Sequence, residues 1–333
     1  MESSAALLAA FKKLNILVLG DVMVDRYLEG AVDRISPEAP VPVVRLQKSE
    51  NRLGGAANVA LNLAALGAKP YLVSMVGKDE AADQLLELLP AAGISNRGII
   101  QSEDRRTTIK TRVLAQSQQL LRVDTEDTFD LNETEGDILL SKVRDILDNR
   151  AIDAILFQDY NKGVLSQKTI SEVLLEAVKR DIPTAVDPKA RNFWAYKHST
   201  LFKPNLKEIR AQADFPIHPN LEDLLRANDL IRNKLGNQFT LITLSEHGLF
   251  IAGKQSGTIF PVPPRDIVDV CGAGDSVISV ATLAMALELD ASHMALLSNL
   301  AGGQVCERVG VVPVNAEQLA REFEELKKAA IKS

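Results

Sequence analysis

Short unbroken apolar runs alternate with amphipathic stretches of helical period along nearly all of this chain, and that alternation leaves few architectures open. Residues 15–20 (NILVLG), 71–76 (YLVSMV), 154–158 (AILFQ), 184–187 (TAVD) and 240–244 (TLITL) read as strands. Between them, residues 56–66, 80–89, 133–147, 168–179 and 221–235 carry helical spacing, and Asn132 with Glu135 and Asn315 with Gln318 are spaced as capping boxes. Strands apolar on both faces, each followed by a helix, imply an α/β fold with a mostly parallel central sheet between two helical layers. Two stretches break the rhythm. Residues 27–50 place Pro37, Pro40 and Pro42 around Val41, Val43 and Val44, while residues 106–124 alternate through Thr107, Ile109, Thr111, Val113, Leu121 and Val123. Both read as exposed ribbons that can pair as a small second sheet. With no repeat, low-complexity tract or linker, residues 11–330 are expected to form a single domain carrying a lid built from inserts at about 27–50 and 104–124.

Charge and cysteine usage narrow the class of function. A net charge of −6 argues against a surface built to neutralise nucleic acid or to coat an anionic membrane, so no partner of either kind is expected. The two cysteines, Cys271 and Cys306, make no disulfide framework, and four scattered histidines offer no metal-ligand pair at helical spacing. The chain begins Met-Glu-Ser-Ser without a basic leader, and no stretch is long and apolar enough to span a membrane, so a soluble, cytoplasmic protein is expected.

In open parallel sheets, ligands bind beyond the carboxyl ends of the strands. Polar clusters fall there: Gly20-Asp21 with Asp25, Asp159-Tyr160-Asn161-Lys162-Gly163, Asp187-Pro188-Lys189, Lys203-Pro204-Asn205 and Ser245-Glu246-His247-Gly248. The most specific segment is Asp269-Val-Cys-Gly-Ala-Gly-Asp275, which runs into an apolar helix pattern. Gly272 and Gly274 free the backbone to turn its N–H groups toward an anion at a helix start, and Asp275 could accept a proton beside it. Taken alone, the same residues equally describe a glycine turn with an N-capping Asp.

Three segments together carry a resemblance. Gly54-Gly55-Ala56-Ala57-Asn58, Asn205-Leu206-Lys207-Glu208 and Gly272-Ala273-Gly274-Asp275 resemble, in order and separation, the signatures of the PfkB or ribokinase-like carbohydrate kinases. The run Asp33-Arg34-Ile35-Ser36-Pro37-Glu38-Ala39-Pro40-Val41-Pro42-Val43-Val44 is narrower. Together with the segments 20–27, 110–113 and 119–122, it is similar to the kinase domains that phosphorylate D-glycero-D-manno-heptose 7-phosphate at C1. The similarity spans about residues 11–325 and implies a ribokinase-like three-layer fold with a small β-sheet lid, an ATP- and Mg²⁺-dependent reaction and a homodimer formed through the lid. It leaves a monovalent-cation requirement open.

The resemblance also assigns roles. Asp275 would be the catalytic base, and the N–H groups of Gly272, Ala273 and Gly274 would hold the transferring phosphoryl group. Asn205, Leu206, Lys207 and Glu208, with Thr243, Ser245, Gly248 and Asn299, would form the nucleotide side, Glu208 reaching the metal through water; a capped helix start explains Asn205 and Glu208 equally well. Gly302 and Gly303 would border the adenine with Asn299, or simply pack. Asp25, Gly54, Gly55 and Asn58 would hold the sugar hydroxyls, with Arg112, Asp159, Lys162 and Lys189 nearby. Candidates for the substrate's own phosphate are Arg34, Arg52, Lys110, Arg112, Lys162, Lys189 and Arg191. Cys271 stands where many relatives have Thr and reads as an inert thiol. A nucleotidyltransferase domain, fused to many such kinases, is not expected here. Another kinase of the family, for a ketose, hexose phosphate or nucleoside, and a catalytically silent sugar-phosphate-binding module are the alternatives.

Overall fold

The computed structural model describes residues 4–115, 118–253 and 256–332. Its central sheet has nine strands, in the spatial order Gly257–Phe260, Leu249–Ala252, Phe239–Thr243, Leu201–Phe202, Thr184–Asp187, Ala154–Gln158, Asn15–Gly20, Lys69–Gly77 and Ile99–Ser102. All pairings from Phe239–Thr243 to Ile99–Ser102 are parallel, and the two remaining strands return antiparallel at one edge. The unbroken apolar runs have a direct cause. In the first strand Ile16 and Val18 enter one core while Leu17 and Leu19 enter the other, so both faces of the sheet are covered. Burying each of these side chains stabilises the fold by roughly 1.5–3 kcal/mol.

Helices Ala56–Ala65, Ala273–Ala286 and Ala291–Cys306 share the first core; Glu133–Asn149, Gln167–Lys179 and Leu221–Leu235 share the second. Local signals set their ends. Asn132 and Glu135 form the full capping box, Ser166 and Asn220 cap the next two helices through side-chain oxygens, and Gly236 ends Leu221–Leu235 at a left-handed φ of 70°. The box expected at Asn315 is only half made. Asn315 accepts from the Gln318 N–H at 2.9 Å, but the Gln318 side chain turns to Glu322 and the Asn315 N–H goes to Gln304 instead. A tertiary partner has displaced the local one.

The second sheet has the order Pro42–Gly55, Val22–Ile35, Ile109–Ala115, Gln118–Thr125. The two ribbons read from the sequence do pair, through parallel contact of Val22–Ile35 with Ile109–Ala115; residues 116 and 117 of the second ribbon lie outside the described residues. Val22–Ile35 begins two residues beyond the end of the first central strand, which stands this sheet at the carboxyl ends of the central one. Its surface exposes Ile35, Leu46, Leu121 and Val123, while Val24, Asp25 and Tyr27 are buried. Among the described residues no helix is long and apolar enough to cross a membrane.

Candidate active site

Asp275 lies in the first turn of helix Ala273–Ala286 and is almost wholly buried. Gly272 before it has φ 79°, and no side chain caps the helix, so the first-turn N–H groups lack the acceptor that a capping side chain usually supplies. Three donors hold the Asp275 carboxylate: Asn58 Nδ2 at 2.7 Å, Tyr160 Oη at 2.8 Å and Gln158 Nε2 at 3.1 Å. Burial pushes its pKa up to about 6 against the lowering effect of the Asn58 and Tyr160 bonds, with Asp187 adding a further upward push. A carboxylate of this kind is mostly ionised at neutral pH yet basic enough to take a proton from a hydroxyl held against it.

Parallel register builds the floor of the site. Gln158 and Asp187 end adjacent strands side by side, and Gln158 Nε2 donates to Asp187 Oδ2 at 3.2 Å. Lys203, one residue beyond the next strand, meets the same Asp187 oxygen at 3.0 Å in a buried pair. Its ammonium also borders the glycine turn before Asp275, 3.8 Å from where a Cβ on Gly274 would sit. The sequence places Tyr160, Asp187 and Lys203 in strand-end clusters without individual roles, and Gln158 only at the end of a strand. Their common signal is position at the carboxyl ends of neighbouring strands.

In the segment expected to face a nucleotide, Asn205 and Glu208 form the complete capping box, each accepting the other's backbone N–H at 2.8 Å. Asn205 also bridges to Thr243, and beyond it Ser245 and Gly248 take positive φ in a tight turn where a Cβ on Gly248 would lie 2.0 Å from the Phe260 carbonyl oxygen. Leu206 packs on the second core and Lys207 is exposed. Asn299 donates to the carbonyls of Phe260 and Pro261, and Gly302 and Gly303 leave room for Val277 and Arg265, so these three positions hold helix Ala291–Cys306 against its surroundings. Among the described residues no three His, Cys, Asp or Glu side chains gather as a metal cage. Glu208, which accepts from Asn205 and Lys189, fits a cation that keeps its water and is held mainly by phosphate oxygens.

Among the residues expected to hold a sugar, Asp25 is buried and ion-paired with Arg112. Gly54 leaves room for it, because a Cβ there would lie 2.2 Å from Asp25 Oδ2. Gly55 has φ 59° and no room either, since its Cβ would meet the Asp21 carbonyl at 2.3 Å. Lys189 bonds Glu208; burial acts to strip its proton, but Asp187 and Glu208 together outweigh that and raise its pKa. Asp159 and Lys162 do not join this cluster. Asp159 accepts from Tyr196 Oη and the Asn161 N–H, with its pKa pushed up to about 6 by burial and then by Asp21, while Lys162 pairs with Glu126 at 2.7 Å. Arg52 is spent on Glu50 and the carbonyls of Val309 and Val311, Arg191 pairs with Asp130, and Arg34 is exposed. Burial, with Asp269 beside it, pushes the Cys271 thiol up to about 11, which leaves it inert at neutral pH.

The model for "pfkB family carbohydrate kinase" matches residues 13–318. The chain is 39% identical over 328 residues to the bifunctional protein HldE of Campylobacter curvus, covering 96% of this chain and 69% of that protein. It is 40% identical over 313 residues to the bifunctional protein HldE of Pseudomonas paraeruginosa, covering 93% and 64%. The chain thus spans about two thirds of the length of these relatives. Among solved structures, phosphofructokinase-2 from Escherichia coli in complex with potassium aligns with a TM-score of 0.78 at 20% identity, covering 94% of this chain and 99% of that one. Arabidopsis thaliana ribokinase complexed with ribose and ATP aligns at 0.71 and 17%, covering 92% and 98%.

Proposed function

We propose that this chain, which belongs to the pfkB family of carbohydrate kinases, transfers the terminal phosphoryl group of ATP to the C1 hydroxyl of D-glycero-D-manno-heptose 7-phosphate. The product is the 1,7-bisphosphate, a precursor of the heptose of lipopolysaccharide cores. The observation that carries the phosphotransfer is Asp275, a buried carboxylate with pKa about 6 at the uncapped start of a helix. The choice of acceptor rests on the run Asp33 to Val44 and on the identity of 39–40% to the HldE relatives.

In this reading Asp275 takes the proton of the acceptor hydroxyl as that oxygen attacks the terminal phosphorus, and the N–H groups of Gly272, Ala273 and Gly274 at the helix start hold the charge on the phosphoryl oxygens. Asn58, Tyr160 and Gln158 fix the carboxylate in place. Lys203 offsets Asp187 and adds positive charge beside the turn. Asn205, Thr243, Ser245 and Gly248 border the ATP. Magnesium, reached through water from Glu208, would neutralise phosphate charge. Asp25 accepts from the sugar hydroxyls, and Gly54 and Gly55 let the backbone approach them.

The exposed Leu46, Leu121 and Val123 of the lid suit pairing with a second copy, in the cytoplasm where ATP is available. Sedimentation at micromolar concentration is expected to give a dimer that Leu121→Asp dissociates; a monomeric parent protein removes this part of the reading. The acceptor is tested by ATP consumption across phosphorylated and unphosphorylated sugars. Heptose 7-phosphate should give the highest kcat/KM, and preference for a ketose or nucleoside would move the chain to another branch of the family. A silent module would consume no ATP with any acceptor.

A further inference from the structure

The cations that face the sugar side are mostly committed. Arg112 holds Asp25, Lys189 holds Glu208 and Lys203 holds Asp187, while Lys162, outside that cluster, holds Glu126. Lys110 differs. On strand Ile109–Ala115 it sits in register between Asp25 and Asp124, but Arg112 already bonds the first and Arg122 the second, at 2.9 Å. What Lys110 has is the ring of Tyr160, 5.1 Å from its Nζ, a contact worth about 0.5–2 kcal/mol. Burial, the largest influence, lowers its pKa, and Lys162 and Arg122 lower it further against the pull of Asp25 and Asp124. A half-buried ammonium beside two other cations, with its neighbouring carboxylates occupied, is an unbalanced positive charge.

The same Tyr160 gives its hydroxyl to Asp275. Lys110 therefore stands one aromatic ring away from the proposed base, on the lid strand that covers the sugar side. Asp25, read above as an acceptor for sugar hydroxyls, is in register with Lys110, so a sugar lying between Asp275 and Asp25 would have Lys110 beside it.

We infer that Lys110 binds the phosphate already present on the acceptor sugar, and so sets the preference for phosphorylated over unphosphorylated sugars. This rests on the kinase reading above. Charge-assisted hydrogen bonds to phosphate replace the missing counter-charge. The test compares kcat/KM for heptose 7-phosphate and for heptose, at saturating ATP, in the parent protein, Lys110→Met and Lys110→Arg. The ratio of the two should fall about 10- to 100-fold in Lys110→Met and recover in part in Lys110→Arg. A purely structural lysine would lower both sugars alike and leave the ratio unchanged. A ratio within about twofold of the parent in Lys110→Met overturns the assignment while leaving the kinase reading intact. A parent protein without any preference for the phosphorylated sugar overturns both this assignment and the choice of a sugar phosphate as acceptor.

Discussion

Replacing Asp275 with asparagine should lower turnover about 10²- to 10⁴-fold while leaving ATP affinity within about threefold of the parent protein. The amide keeps the size of the carboxylate but cannot take the acceptor proton. Stability provides the control. The folded pKa of Asp275, about 6, lies above its ordinary 3.8, so its contribution to stability is fully present below pH 3.8 and is lost as pH rises through 6. At pH 8 the ionised group weakens the fold, by up to about 3 kcal/mol by linkage. Asp275→Asn should therefore melt at or above the parent temperature there, and a melting point well below it would assign the lost activity to unfolding. The parent should also lose kcat/KM as pH falls through about 6. That profile is read with an unphosphorylated sugar as a slow acceptor, because a sugar phosphate itself ionises near pH 6. A flat profile between about pH 5 and 8 would contradict the base assignment.

The second large effect is structural. Gly55→Ala should reduce unfolding free energy by about 2–4 kcal/mol, read from the urea midpoint. Gly55 has φ 59° and ψ −133°, a backbone shape closed to residues with a Cβ, and an added Cβ would lie 2.3 Å from the Asp21 backbone oxygen. That oxygen accepts the Ala56 N–H at 2.9 Å, so displacing it also disturbs the start of the helix that carries Asn58 to Asp275. A loss below about 1 kcal/mol would mean that the junction between the two sheets yields easily. Gly54→Ala presses instead on the end of the Asp25 side chain, and its effect should appear in the KM of the sugar more than in the urea midpoint.

Much of this was legible because the decisive signals are local. An unbroken run such as Ile16–Leu17–Val18–Leu19 can lie only between two covered faces, and Asn132-x-x-Glu135 closes within one helical turn. Gly272-Ala-Gly-Asp275 likewise reads as a helix start that leaves room for an anion. What stayed illegible depends on register between distant strands. The contacts of Gln158 with Asp187 and of Lys203 with Asp187 exist because three strands end side by side, and no spacing in the sequence encodes that. Lys162 and Asp159 adjoin in sequence as Lys189 and Asp187 do, yet the first pair turns to Glu126 and Tyr196 while the second faces the base. Short strands such as the interior Leu201–Phe202 and the edge strand Gly257–Phe260 are illegible in the sequence because so few residues show no period.

Phosphoryl transfer to the anomeric hydroxyl of a sugar phosphate leaves the new phosphate on C1 and nowhere else. Phosphorus and proton NMR of the product from ATP and D-glycero-D-manno-heptose 7-phosphate should show a second phosphorus coupled to the anomeric proton, with the first still at C7. A phosphate at any other carbon, or ATP hydrolysed with the heptose 7-phosphate unchanged, would contradict it.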